Sequence, residues 1–238
     1  MKLLLTNDDG VHAPGLEALQ CAAARLGETV VVAPHEHASG CSHQVTTHRP
    51  LELGEIRPKW YMLDGSPADC ARLGISHLAS DAEWVISGVN QGGNLGADVY
   101  VSGTVAAARE ACLLGKRAIA ISQYHRRAPL DWRHVAAWTE HVLQVLFARP
   151  LEPGTFWNVN LPHLDPSETA PPECVFCRLD PNPLPVSYEE LDGRFHYRGS
   201  YHERVRTSGH DVDVCFSGRI AITQMRLEYV SPPLPVPG

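Results

Sequence analysis

Short apolar runs alternate with segments of helical period along the chain as far as about residue 160. Residues 2–6 (KLLLT) predict a strand, and 14–26 (PGLEALQCAAARL) predict a helix with proline near its start, where the missing N–H costs nothing. Residues 29–33 (TVVVA) predict a buried strand closed by Pro34, followed by a polar loop over 34–44 and extended pieces near 45–53 and 59–63. A second proline-started helix is predicted over 67–79, a strand over 84–88 (WVISG), a helix over 103–114 and a strand over 117–122 (RAIAIS). A long amphipathic helix over 131–147 and a strand over 155–160 (TFWNVN) complete this part. Strands that are apolar throughout and separated by helices belong to a parallel sheet covered on both faces. The expected architecture is a doubly wound, mostly parallel α/β fold, whose ligands bind at the carboxyl ends of the strands.

The alternation breaks near residue 162. Residues 162–190 hold many prolines and no helical period, 194–206 predict extended or hairpin structure, and 218–229 predict a last strand. The proline-rich tail SPPLPVPG (231–238) is expected to lie along the surface or to fray. The expected division is a core over 1–161 and a C-terminal extension over 162–238. Within the extension, aromatic and polar residues alternate from Phe195 to Tyr201, which fits a two-stranded ribbon. A lone ribbon is marginal in water, so this one packs on its own domain or reaches a neighbouring subunit.

The polar residues at the strand ends carry the candidate chemistry. The first strand runs into Asn7-Asp8-Asp9-Gly10, the second into a loop with Ser39-Gly40, and the strand at 84–88 into a glycine-rich stretch with Asn90. Two adjacent carboxylates repel each other. An oxygen-only set of Asp8, Asp9, Ser39 and Asn90 on one rim suits a hard cation (Mg²⁺, Mn²⁺ or Ca²⁺) rather than zinc. Ser102-Gly103-Thr104 opens the helix at 103–114, and a helix start with free N–H groups and hydroxyls is an anion site. Each feature alone has a plainer reading: Asp8 as a turn or cap residue, Ser39-Gly40 as a turn, Asn90 as a local backbone partner, Ser102 as a helix cap. Convergence on one rim favours a metal-dependent phosphoryl-transfer site.

Composition narrows the field. The 238 residues carry a net charge of −7 with no basic stretch, which argues against a nucleic-acid polymer as partner. No apolar run reaches membrane-spanning length, and the N-terminus lacks the pattern of a signal peptide, so a cytoplasmic protein without membrane association is expected. Seven cysteines at irregular spacing read as reduced thiols, and Cys174-Val-Phe-Cys177 lacks the second pair that a zinc site needs. No dinucleotide fingerprint, P-loop or nucleophile elbow is present.

The stretches LLLTNDDGVHAPG, SGCSHQVT, DGSPADCARLG, SGVNQGGNLGADVYVSGTVAAARE and WNVNLP together resemble the SurE family of metal-dependent 5′/3′-nucleotidases. The resemblance is dense over residues 1 to about 160. It implies a Rossmann-like sheet with a C-terminal extension used in assembly as a dimer or tetramer, and one divalent ion per subunit held by Asp8, Asp9, Ser39 and Asn90. It further implies a nucleoside monophosphate whose phosphate lies between that ion and Ser102-Gly103-Thr104. Asn7, Gly40, Gly92 and Asn94, on the same loops, are the remaining expected substrate contacts. Asp8 or Asp9 is expected to take the proton of the attacking water. The family's usual Tyr directly before Ser-Gly-Thr is replaced here by Val101, with Tyr100 preceding it. The expected activity is hydrolysis of nucleoside 5′(3′)-monophosphates, with short polyphosphate as a further substrate. A metal-dependent nucleotide sensor without turnover is the alternative, and a metal-dependent glycosyltransferase a weaker third.

Overall fold

The computed structural model describes residues 1–126, 130–163 and 170–227. In chain order the first half comprises β1 (Lys2–Thr6), α1 (Pro14–Ala23), β2 (Glu28–Pro34), β3 (Leu53–Arg57), β4 (Trp60–Leu63), α2 (Pro67–Leu73) and β5 (Trp84–Gln91). Then follow α3 (Gly103–Leu113), β6 (Arg117–Gln123), α4 (Trp132–Phe147), β7 (Thr155–Leu161), β8 (Cys174–Phe176), β9 (Tyr188–Leu191), β10 (Arg194–Tyr197), α5 (Asp211–Phe216) and β11 (Ile220–Arg226).

The sheet has the order β3-β4-β2-β1-β5-β6-β7-β11-β8 among the described residues. Strands β4, β2, β1, β5, β6 and β7 run parallel, as apolar runs separated by helices require. Period-two alternation divides the core: Leu3 and Leu5 of β1 join the cluster containing Leu16, Leu19 and Trp138, whereas Leu4 joins the cluster containing Cys70, Val105 and Ala108. Helix α1 accordingly packs with α4 on one face, and α2 with α3 on the other. The chain moves outward from β1 to β2 and β4, then returns to β5 on the other side of β1. The topological switch point, where doubly wound sheets bind ligands, therefore lies between the ends of β1 and β5.

The C-terminal part differs from the sequence reading in detail. Strand β11 enters the main sheet antiparallel to β7 and carries β8 parallel on its outer edge. The hairpin is β9–β10, spanning 188–197 instead of 194–206, with a turn at Asp192-Gly193. Tyr201 lies in a short 3₁₀ turn beyond it. Helix α5 has no counterpart in the sequence reading. Upstream, the extended piece expected over 45–53 is irregular, and the strand begins only at Leu53. Helix α2 ends at Leu73 and passes into a π-turn over Gly74–Leu78. Strand β5 continues beyond residue 88 to Gln91. The expected tail at 231–238, and residues 228–229 of the last strand, lie outside the described residues.

Candidate active site

Strand β1 delivers Asp8 and Asp9 to the switch point. Asp8 is buried, with 3% of its surface exposed, and Asp9 is half-buried. The start of α3 rests on Asp8. The Thr104 hydroxyl donates to Asp8 Oδ1, and the Thr104 backbone N–H also bonds this carboxylate. Burial, countered in part by Thr104 and reinforced by the neighbouring Asp9 charge, pushes the Asp8 pKa up to about 6. Gly103 is required here: a Cβ at that position would lie 2.9 Å from both Asp8 Cβ and Asp8 Oδ2, and 3.2 Å from Cys41 Sγ.

The remaining loops close around this pair. The Gln91 N–H donates to Asp9 Oδ2 at 3.0 Å, which ties the end of β5 to the end of β1. His37 Nδ1 lies 3.5 Å from Asp9 Oδ1. The Ala38 N–H donates to the Asp8 carbonyl at 2.8 Å, and Ser42 bonds the Tyr100 and Val101 carbonyls, so the loop with Ser39 is held between β1 and the turn before α3. Ser39 is exposed. Asn90 Nδ2 donates to the Gly92 carbonyl at 2.9 Å, leaving Oδ1 as the end able to meet a cation. Strand β5 reaches this position through a register shift against β6 between Ser87 and Asn90. Asp9 also lines a cavity of about 300 Å³ with Pro14, Gly15, His37 and Gln91.

Not every expected substrate contact is open to a ligand. Gly92 N–H is already donated to the Asn90 and Gln123 carbonyls. Asn94 is buried and committed to β6 and β7: its N–H donates to Asn160 Oδ1 at 2.7 Å, its Nδ2 to Ser122 Oγ at 2.7 Å, and its carbonyl accepts from Asn158 and Asn160. The Thr104 hydroxyl, expected on phosphate, has no exposed surface and points to Asp8. Asn7 shapes the turn by donating to the Gly10 carbonyl at 2.9 Å, while its Oδ1 is buried with no hydrogen-bond partner among the described residues. Gly40 lies in an open turn. Ser102 caps α3 by accepting from Val105 N–H, which leaves its hydroxyl proton free to donate.

The sequence reading missed three contributors. His37 carries no local signal beyond its place two residues before Ser39. Asp98 and Arg204 form an ion pair at 2.9 Å that links the glycine-rich loop to the C-terminal segment. His43, near the rim in sequence, is instead bound to buried Glu110 at 2.6 Å, and Arg72 also pairs with Glu110. All seven cysteines are free.

The fold and this rim define a doubly wound α/β protein with an acidic pair at its switch point. The family model described as Survival protein SurE matches residues 3–182. A relative from Nostoc sp. is 52% identical over 229 residues, covering 95% of this chain and 100% of its own. The 5′-nucleotidase SurE of Methylorubrum populi is 38% identical over 247 residues, covering 98% of this chain and 96% of its own. The crystal structure of the SurE protein from Aquifex aeolicus superposes with a TM-score of 0.85 at 30% identity, covering 97% of this chain and 95% of that one. The chain belongs to the SurE family.

Proposed function

We propose that this protein is a metal-dependent 5′-nucleotidase that hydrolyses nucleoside monophosphates to nucleoside and inorganic phosphate. The observation that carries the reading is Asp8: a buried carboxylate beside a second one, with no lysine or arginine paired to it among the described residues. A divalent cation is the counter-charge such a pair lacks. No three His, Cys, Asp or Glu converge among the described residues, so the cation would take Asp8 and Asp9 and complete its shell from Ser39 and Asn90. The donors are all oxygen, which fits one Mg²⁺ or Mn²⁺ per subunit, with Ca²⁺ able to occupy the same place.

When bound, such a cation neutralises phosphoryl charge and makes water a nucleophile at neutral pH. The chain supplies the rest. Ser102 keeps a hydroxyl proton for a phosphate oxygen, and the Gly103 N–H lies at the positive end of α3. Asp8 is fixed by Thr104, so Asp9, less buried and bonded through only one oxygen to backbone, takes the proton of the attacking water. The ester P–O bond breaks, and the nucleoside oxygen leaves as a hydroxyl by taking up the proton that Asp9 removed from the water. Short polyphosphates present the same terminal group. Support for a homo-oligomer comes from the exposed side chains of Tyr188, Leu191, Phe195 and Tyr197 on the hairpin. Free cysteines fit a reducing compartment, and we assign the protein to the cytoplasm.

The test is phosphate release from a panel of 5′- and 3′-mononucleotides with Mn²⁺ or Mg²⁺. Release that chelator abolishes and added metal restores is expected. Tight metal-dependent nucleotide binding with no release would make the protein a sensor instead.

A further inference from the structure

The glycine-rich loop between β5 and α3 is gripped from a part of the chain more than a hundred residues away. Asp98 Oδ2 accepts from the Leu95 N–H at 3.2 Å, from the Tyr201 hydroxyl at 2.8 Å and from Arg204 Nη1 at 2.9 Å. The same two residues reach the loop backbone: the Tyr201 hydroxyl lies 3.3 Å from the Gly93 carbonyl, and Arg204 Nη2 donates to the Leu95 carbonyl at 3.2 Å. Asp211 Oδ2 accepts from the Gly96 N–H at 2.7 Å. Asp98 and Arg204 are both buried. Burial and the adjacent Asp98 carboxylate push the Tyr201 pKa up, so the phenol stays a donor. Its ring packs against Tyr124 and Phe216.

The two ends of this loop are the two sides of the site. Asn90 stands before it and Ser102 after it, and the Ser102 N–H itself donates to the Asp98 carbonyl at 3.1 Å. Glycines at 92, 93 and 96 make the backbone between them soft unless something holds it. We propose that Tyr201 and Arg204 are positioning residues for phosphate binding: by fixing Asp98 and the Gly93 and Leu95 carbonyls they set where Ser102 stands relative to Asn90. The proposal rests on the phosphomonoesterase reading for its substrate. Charge alone does not account for this arrangement, because desolvating a buried ion pair can cost as much as the attraction returns. Here a buried guanidinium splits its fork between a side chain and a main-chain carbonyl of the same loop, which specifies geometry.

Tyr201→Phe is the discriminating variant, since it removes the hydroxyl and keeps the ring in its aromatic cluster. In the full chain without metal, amide hydrogen exchange over residues 92–98 is expected to quicken about tenfold, the scale of one lost hydrogen bond, with the melting temperature within a few degrees of wild type. At saturating Mn²⁺, KM for a nucleoside monophosphate is expected to rise about five- to tenfold with kcat within about twofold, the pattern of lost uniform binding. Unchanged exchange overturns the proposal whatever the activity. Faster exchange with unchanged KM also overturns it, because the grip would then serve the fold alone. If the wild type releases no phosphate, the functional reading fails separately. Calorimetric binding of inorganic phosphate with Mn²⁺ then replaces KM: weaker binding in the variant supports the proposal, and equal binding overturns it.

Discussion

Asp8 is a carboxylate in the wrong surroundings for its charge. Lifting its pKa from 3.8 to about 6 corresponds to about 3 kcal/mol against the ionised form, more than a cap or turn residue is retained for. Asp8→Asn is therefore expected to leave metal-free protein at least as stable as wild type, measured by urea unfolding in chelator, while abolishing phosphate release at saturating metal. Asp9→Asn should likewise lose turnover with the fold kept. Near-normal rates from either variant would remove the pair from the chemistry. Thr104→Val probes a different dependence. Since its hydroxyl donates to Asp8 and not into open space, the loss is expected in Mn²⁺ affinity as well as in turnover, about tenfold in each, by titration calorimetry and phosphate release. Normal metal affinity with impaired turnover would return Thr104 to the phosphate. The adjacency of the aspartates was legible because like charges side by side demand an explanation. What Thr104 faces was not, because 96 residues separate the partners.

At the scale of the elements, strand β5 shows how a local break places a polar side chain at the rim. Its register against β6 shifts between Ser87 and Asn90, and Gly88 sits at the shift with φ 139°. A Cβ there would lie 2.2 Å from the Ile121 carbonyl. Gly88→Ala is expected to cost roughly 3 kcal/mol or more from clash and backbone strain together, and to move Asn90 off the rim. Chemical denaturation and metal titration of the soluble variant check both. The parallel strands were readable because burial on both faces makes them uniformly apolar. Strand β3 was not, since LGEIR is mostly exposed and packs little. Helix α5, six residues long, is too short to show a period. The hairpin was misplaced because Tyr201 continues its aromatic alternation in sequence but turns inward to Asp98. The Asn94 network with Asn158 and Asn160 was invisible for the same reason as the Thr104 contact: 64 and 66 residues separate the partners.

Across the whole molecule, the hairpin presents Phe195 with 70% of its surface exposed and Tyr188 with 59%. Assembly through this face predicts that Phe195→Glu with Tyr188→Glu shifts light scattering from a multiple of 26.1 kDa to that mass itself. A wild-type protein already at the single-chain mass would mean that the hairpin serves no assembly. Deletion is a poorer tool than substitution, because a cut extending to residue 204 would also remove Tyr201 and Arg204 from the glycine-rich loop. The insertion of β11 between β7 and β8 has a consequence for synthesis. During translation the parallel strands through β7 can pair as they emerge, but the outer edge of β7 has no neighbour until Ile220–Arg226 follows. That edge, TFWNVNL, is wholly buried in the finished fold. A ribosome that stalls or terminates before codon 220 thus releases an open, sticky strand, and the nascent chain depends on the segment from Leu161 to Arg226 to become safe from its own copies.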